Sequence, residues 1–335
     1  MGPFSIEPIS LGRAALLSVG LVLYTLILSA QPACPADPAQ GPQDLHELGP
    51  IHDQLRHLRG QIDILRRHMG VSQVTALDLR IRDVSLPDLF FQTRALFGKV
   101  SRLSYEILRV EEELPETPEG RVQTGDVLHL VQASAASMGR VMRELELEDA
   151  GAVSRSQTTL TPDTLFLDML AFNRQVNAML ERPYTPTDVF LQVTVAVGYA
   201  ARQLAAFPQA ERFPREPPFE KDKQPVDVYR RLLVCLQLIS SICRAAGLAG
   251  LVVEHGRIED RLVTPGDVFD LAALVVARLD YLHKQRGRGP LPKSAPFPGR
   301  RFPSDVFQRA GLLERQLELL RIQMDRIGAP SKQSP

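Results

Sequence analysis

Apolar residues recur along most of the chain three and four residues apart, and the runs are separated by segments rich in Pro and charge. The first clear run is Leu55, Leu58, Ile62, Leu65 and Met69, one apolar seam on a helix from about His52 to Met69. Arg56, Arg59, Asp63, Arg66 and Arg67 occupy its other faces, which predicts a solvated outer helix. The last run, Val306 to Ile327, has the same character, with Leu313, Leu317, Leu320 and Met324 as its seam. These two helices are expected either to pack together or to serve a partner chain. Between them, Val189–Leu204, Val228–Ile242 and Val268–Leu282 are apolar on more than one face, so the second half should have the drier core.

Each inner run is preceded by a helix start. The fullest is Val263-Thr264-Pro265-Gly266-Asp267-Val268-Phe269. Thr264 is the N-cap, Pro265 takes the first helical position, and Asp267 reaches back to the cap amide. Val263 and Val268 make a hydrophobic staple across the start. Related units lie at Ser85–Asp88, Gln123–Asp126, Thr161–Thr164, Thr185–Asp188, Gln224–Asp227 and Phe302–Asp305. Staple pairs accompany five of the seven: Val84/Leu89, Val122/Val127, Leu160/Leu165, Tyr184/Val189 and Val263/Val268. Where the first position is not Ser or Thr, Thr124, Asp227 and Asp305 are the expected caps. An aromatic follows in six units, as Phe90, Phe166, Phe190, Tyr229, Phe269 and Phe307, with Leu128 in the other.

The fourth residues of these units, at 88, 126, 164, 188, 227, 267 and 305, are spaced by 38, 38, 24, 39, 40 and 38. With the first helix near Asp53 this makes eight principal helices in two sets of four. The expected fold is all-α, without strands, as two tandem four-helix units from an internal duplication, residues 50–182 and 183–328. A helical-repeat solenoid is the alternative. The 24-residue interval counts against it, and so do the Pro-rich stretches Glu113–Pro118, Phe213–Pro218 and Gly289–Pro292, which leave little room for a second helix per period.

Residues 1–33 stand apart. Arg13 precedes the apolar run Ala14–Ser29 and the small residues Ala30 and Ala33, the pattern of a secretory signal. A retained membrane anchor over residues 14–29 is the other reading, and Cys34 raises a lipoprotein reading that Gln31-Pro32-Ala33 does not support. All three place the folded chain outside an inner membrane, in the periplasm or beyond. Residues 34–49 read as a flexible tether and 329–335 as a disordered tail.

Charge adds an exclusion. Thirty-nine basic residues against 39 acidic ones, with no Trp, remove the electrostatic and stacking arguments for nucleic acid. Any membrane contact is left to the N-terminal segment.

A search for chemistry yields no catalytic, cofactor-binding or metal-ligating residue. His46, His57 and His68 recur every eleven residues, but at 1.5 Å per residue they would lie about 16 Å apart along one helix, too far for one metal. His129, His255 and His283 are isolated, and no Cys/His spacing resembles a zinc site. Cys235 and Cys243, eight residues apart on one helix, read as buried thiols. The repeated Asp residues are explained by capping. The recurring aromatics close the ends of bundles or, in the functional reading, line a small apolar pocket between helices. The basic loop Lys293, Arg300 and Arg301 reads as a solvated linker or as a contact for an acidic partner.

The resulting expectation is a non-enzymatic, cofactor-free scaffold or adaptor of the periplasm that binds another protein. The alternative is a ligand-binding, sensor-like bundle, which a pocket with converging polar groups would favour. A dispersed active site would show as a cleft between the halves with perturbed carboxylates or histidines.

Overall fold

The computed structural model describes residues 43–118, 120–148, 160–256, 258–287, 292 and 296–328. The signal or anchor reading of residues 1–33, the tether up to residue 42, Lys293 and the tail 329–335 lie outside them. Eight α-helices form among the described residues: α1 (Gln43–His68), α2 (Leu86–Leu108), α3 (Thr124–Glu144), α4 (Pro162–Met179), α5 (Pro186–Leu204), α6 (Pro225–Ala245), α7 (Pro265–Gln285) and α8 (Pro303–Gly328). The chain is all-α in class.

Helix α1 begins at Gln43, so residues 43–49 are helical and not tether. Buried Leu48 and Ile51 extend the apolar seam upstream of Leu55, while Pro50 faces solvent. The helix starts form much as expected. Thr264 Oγ1 accepts from the Asp267 amide at 3.3 Å, and Asp267 Oδ2 accepts from the Thr264 amide at 2.8 Å. The caps of α3, α6 and α8 differ from expectation. Gln123, Gln224 and Phe302 occupy the cap position, and their amides donate to Asp126, Asp227 and Asp305 at 2.7, 2.9 and 2.8 Å. The N3 carboxylate does the capping there, so the cap residue needs no hydroxyl.

The helices pack as two rings. Helices α1 and α2 each contact α3 and α4, and α5 and α6 each contact α7 and α8. Both rings therefore close in the same order, first helix to third, third to second, second to fourth and fourth to first. Closure onto the first helix differs from the open stacking of a solenoid. Helices α1 and α8 each pack within their own ring.

Within a ring the helices are parallel. In the second ring Pro186, Pro225, Pro265 and Pro303, with Val189, Val228, Val268 and Val306, surround one void of about 10 Å³, so four N-termini meet at one end. In the first ring the Val84 amide donates to Asp163 at 3.1 Å, joining the starts of α2 and α4. Parallel helices set like dipole ends side by side, which is unfavourable. A carboxylate in the first turn offsets the positive end, about half an elementary charge per helix. The repeated Asp thus has a collective role beyond its own cap.

Parallel packing also explains the period. A helix of 21 residues is about 31 Å long, and an extended chain returns over that distance in about ten residues. The connections within each ring have 15 to 20 residues, and those after α2 and α5 lie along a helix. After α2, the Glu112 carbonyl accepts from Ser101 and the Pro115 carbonyl from Arg94. After α5, the carbonyls of Arg212, Arg215 and Pro217 accept from Gln316, Arg315 and Gln308 of α8. Proline suits these returns because it has no amide to satisfy. Between α4 and α5 only Leu180–Thr185 intervene, reaching about 20 Å at most, so α5 starts where α4 ends. The 24-residue interval is a helix without a return.

One element departs from the strand-free expectation. Strand β1 (Leu79–Arg82), in the first return, pairs antiparallel with β2 (Val252–His255), in the return before α7. Such a ribbon is marginal alone, but Ile81 and Val253 lie opposite each other and both are buried. The buried apolar cluster continues across both rings.

Candidate functional site

Where the rings meet, α2 and α4 face α7, and charged residues interrupt the apolar faces of all three. Lys99 lies among Leu96, Val100 and Leu103 on α2, and Arg278 lies beside Val275 and Leu279 on α7. Arg174 and Asn173 sit on α4, and Asp267 and Asp270 open α7. A charge at such a position is tolerated only if it is paired.

Each is paired across the seam. Lys99, 2% exposed, places Nζ 2.5 Å from Asp270 Oδ1 and donates to Asn173 Oδ1 at 2.7 Å. Asp270 Oδ2 accepts from Asn177 at 3.0 Å. Arg278 Nη2 lies 2.7 Å from Asp88 Oδ1, and Arg174 Nε lies 2.7 Å from Asp267 Oδ1. These two contacts are off the N–H axes and act as close ion pairs, and Arg174 Nη2 in addition donates to Asp267 Oδ2 at 3.3 Å. Arg174 also donates to the carbonyls of Thr75 and Leu262, and Arg278 to that of Ala249. Asp88 meets the end of α7, and Lys99 on the middle of α2 meets its start, so these helices are antiparallel.

The cap carboxylates at the seam have two functions. Asp88 Oδ2 accepts from the Ser85 amide and hydroxyl at 2.9 and 2.6 Å while Oδ1 meets Arg278. Asp267 serves Thr264 and Arg174 in the same way. Burial pushes the Asp88 and Asp270 carboxyls up, opposed by Arg278 and Lys99 respectively. Burial pulls the Lys99 ammonium down, opposed by Asp270. Desolvation is the largest cause in each case, as expected for ions away from water.

Beside this network is a cavity of about 380 Å³. Its apolar wall comes from both halves: Leu77, Leu79, Ile81, Phe166 and Leu170 on one side, Leu233, Leu236, Val253, Leu271 and Leu274 on the other. Gln92, Arg174, Tyr229, Asp267 and Asp270 supply the polar groups, and Leu167, Asp168 and Ala171 lie along partly exposed α4. Burial pushes the Asp168 carboxyl up, with Arg59 and His52 opposing.

Of the aromatics that follow the caps, two line the cavity and others take ring or cation contacts elsewhere. Phe166 and Tyr229 line the cavity. Phe269 stacks on Tyr184 at 3.9 Å, Phe190 lies under Arg301 and Arg309, and Phe307 lies under Lys223 and Arg231. Arg300 lies over the Phe302 ring at 5.3 Å. His283 is buried, edge-on to Tyr199, while His255 is exposed on β2. Cys235 and Cys243 are buried free thiols, and desolvation pushes both up. Among the described residues no three His, Cys, Asp or Glu side chains group as a metal site, and no helix is long and apolar enough to cross a membrane.

The seam residues are what sequence reasoning missed. Their signal was a lone charge inside an apolar run, at Lys99 and Arg278. Comparison with family models, characterised proteins and solved structures returns no match to this chain.

Proposed function

We propose that the protein is a binding module that holds a small, largely apolar molecule in the seam cavity, where the raised carboxyls of Asp270 and Asp88 are engaged by Lys99 and Arg278 and not left free for catalysis. The supporting observation is the cavity itself. Its volume of about 380 Å³ falls within the range of small-molecule sites, about 300–1,000 Å³, and a few polar groups converge on an otherwise apolar lining. An exported setting belongs to the same proposal and rests on Arg13 and the apolar run Ala14–Ser29.

The test is titration with phenylnaphthylamine, a neutral dye that fluoresces on leaving water. The native protein should bind it saturably, and Ala171→Phe, which places a ring at the cavity wall, should abolish binding while the helical circular dichroism persists. Equal binding by both proteins would refute the assignment.

A second reading, docking of a partner protein, is favoured by Phe213, Phe219, Phe297 and Phe302, all at least half exposed on the returns of the second ring. Exposed aromatics are typical interface anchors. Capture of a periplasmic protein that is lost on Phe297→Ser would support it; undiminished capture would count against this surface.

A further inference from the structure

Two side chains on the cavity wall have hydrogen bonds left to make. Tyr229, in the first turn of α6, is 5% exposed and lines the cavity, and its hydroxyl has no hydrogen-bond partner among the described residues. Gln92 of α2 is 3% exposed and lines the same cavity. Its carbonyl oxygens, main-chain and side-chain, receive Asn173 Nδ2 at 3.3 and 3.5 Å, but its own Nε2 has no acceptor among the described residues. Neither atom is among the fully sealed polar atoms that lack a partner, so each still touches open space at the cavity wall, where such a donor normally meets water or a ligand. Burial, reinforced by Asp267, pushes the Tyr229 phenol up, so it remains a donor at any physiological pH.

The charges beside it are already committed. Arg174 serves Asp267 and two carbonyls, Lys99 serves Asp270 and Asn173, and both carboxylates are taken. Asp267 and Asp270 are each paired with a cation, so this part of the wall offers no unpaired ion to a charged ligand. Asp168, at the partly exposed edge, faces Arg59 and His52 of α1.

Resting on the binding function proposed above, we infer that the ligand is an uncharged, mainly apolar molecule bearing an acceptor oxygen, a ketone, ester, amide or ether, which takes hydrogen bonds from Tyr229 and Gln92. An apolar body is set by the leucine-rich lining, and an acceptor by two donors that have none.

The probe is prodan, a neutral naphthyl ketone dye whose emission moves to longer wavelength when its carbonyl accepts a hydrogen bond. Its ketone-free parent, dimethylaminonaphthalene, serves as control, with anionic anilinonaphthalene sulfonate and cationic aminoacridine as charged competitors. Prodan should bind more tightly than the control. Tyr229→Phe and Gln92→Leu should each weaken prodan by roughly five- to tenfold, the equivalent of one hydrogen bond, and leave the control unchanged. Bound prodan should emit at shorter wavelength in Tyr229→Phe than in the native protein, and both variants should keep the native thermal midpoint within a few degrees. Equal affinity for prodan and control, or variants indifferent to the ketone, would overturn the acceptor inference while leaving the pocket in place. Tighter binding of either charged dye would overturn the neutral character. Failure of every dye to bind would remove the proposed function itself.

Discussion

Replacing Lys99 by Met should destabilise the protein by about 3–5 kcal/mol, the usual consequence of leaving one member of a buried pair uncompensated. Methionine nearly matches the aliphatic stem in volume, so little of the loss is a cavity. The stranded group is Asp270, nine-tenths buried, which would keep only the Asn177 amide at 3.0 Å. For a chain of this size the melting temperature should drop by roughly 6–10 °C. Acid should restore part of it. The Asp270 carboxyl is already pushed up by burial, and without Lys99 the main opposing influence is gone. A carboxyl raised in the folded state contributes stability below the ordinary carboxylate range and loses it as pH rises through its folded value. The variant should therefore gain on the native protein as pH is lowered from neutrality. Lys99→Met/Asp270→Leu should recover most of the loss, leaving about 1 kcal/mol for the unsatisfied Asn173 and Asn177 amides. The assay is urea unfolding of the four proteins in a double-mutant cycle at neutral and mildly acidic pH. A Lys99→Met protein with the native midpoint, or a cycle without coupling, would refute the buried pair.

Three other outcomes follow from the packing. Asp188→Ala should cost about 1 kcal/mol as a lost cap, while Asp267→Ala, which also strands Arg174, should cost about 3–5 kcal/mol; equal losses in urea unfolding would mean that Asp267 only caps. Gly311→Ala would put a Cβ 2.7 Å from Pro217 and 2.9 Å from Arg231, so it should destabilise by about 1–2 kcal/mol despite the better helix propensity of Ala; a raised melting temperature would show that the return does not lie against α8 there. The fragment 183–335 contains the whole α5–α8 ring but exposes the seam face of α7, so it should unfold cooperatively at a lower urea midpoint than the full chain, and a featureless slope would contradict a self-sufficient ring.

Local order was legible in the sequence because its determinants are local. Each cap unit fits within seven residues, as in Val263–Phe269, and the seams of α1 and α8 repeat at helical spacing. The 24-residue interval was legible as a break in the period, but that it is a helix without a return followed only once the helices within a ring were seen to be parallel. The start of α1 was missed because the stretch up to residue 49 is rich in Pro, Ala, Gln and Gly and reads as a tether, although Leu48 and Ile51 continue the seam. Pairings across the seam were not legible. Asp88 and Arg278 meet over a separation that no period encodes, and the role of Asp267 as a cap concealed its second partner. The ribbon was hidden for the same reason: four-residue strands in two distant returns acquire meaning only when the rings are apposed. Tyr229 belonged to a repeated aromatic position, and nothing local distinguished it from Phe190 or Phe307.

Whether the seam cavity is a binding site can be read from methyl-resolved NMR of the full chain during phenylnaphthylamine titration. The Leu233, Leu236, Leu271 and Leu274 methyls line the cavity and should shift together and saturate at one dye per chain. Leu313 and Leu317, buried on α8 and not part of that wall, should stay in place. Saturable shifts confined to other methyls, or none at the cavity leucines, would contradict the account.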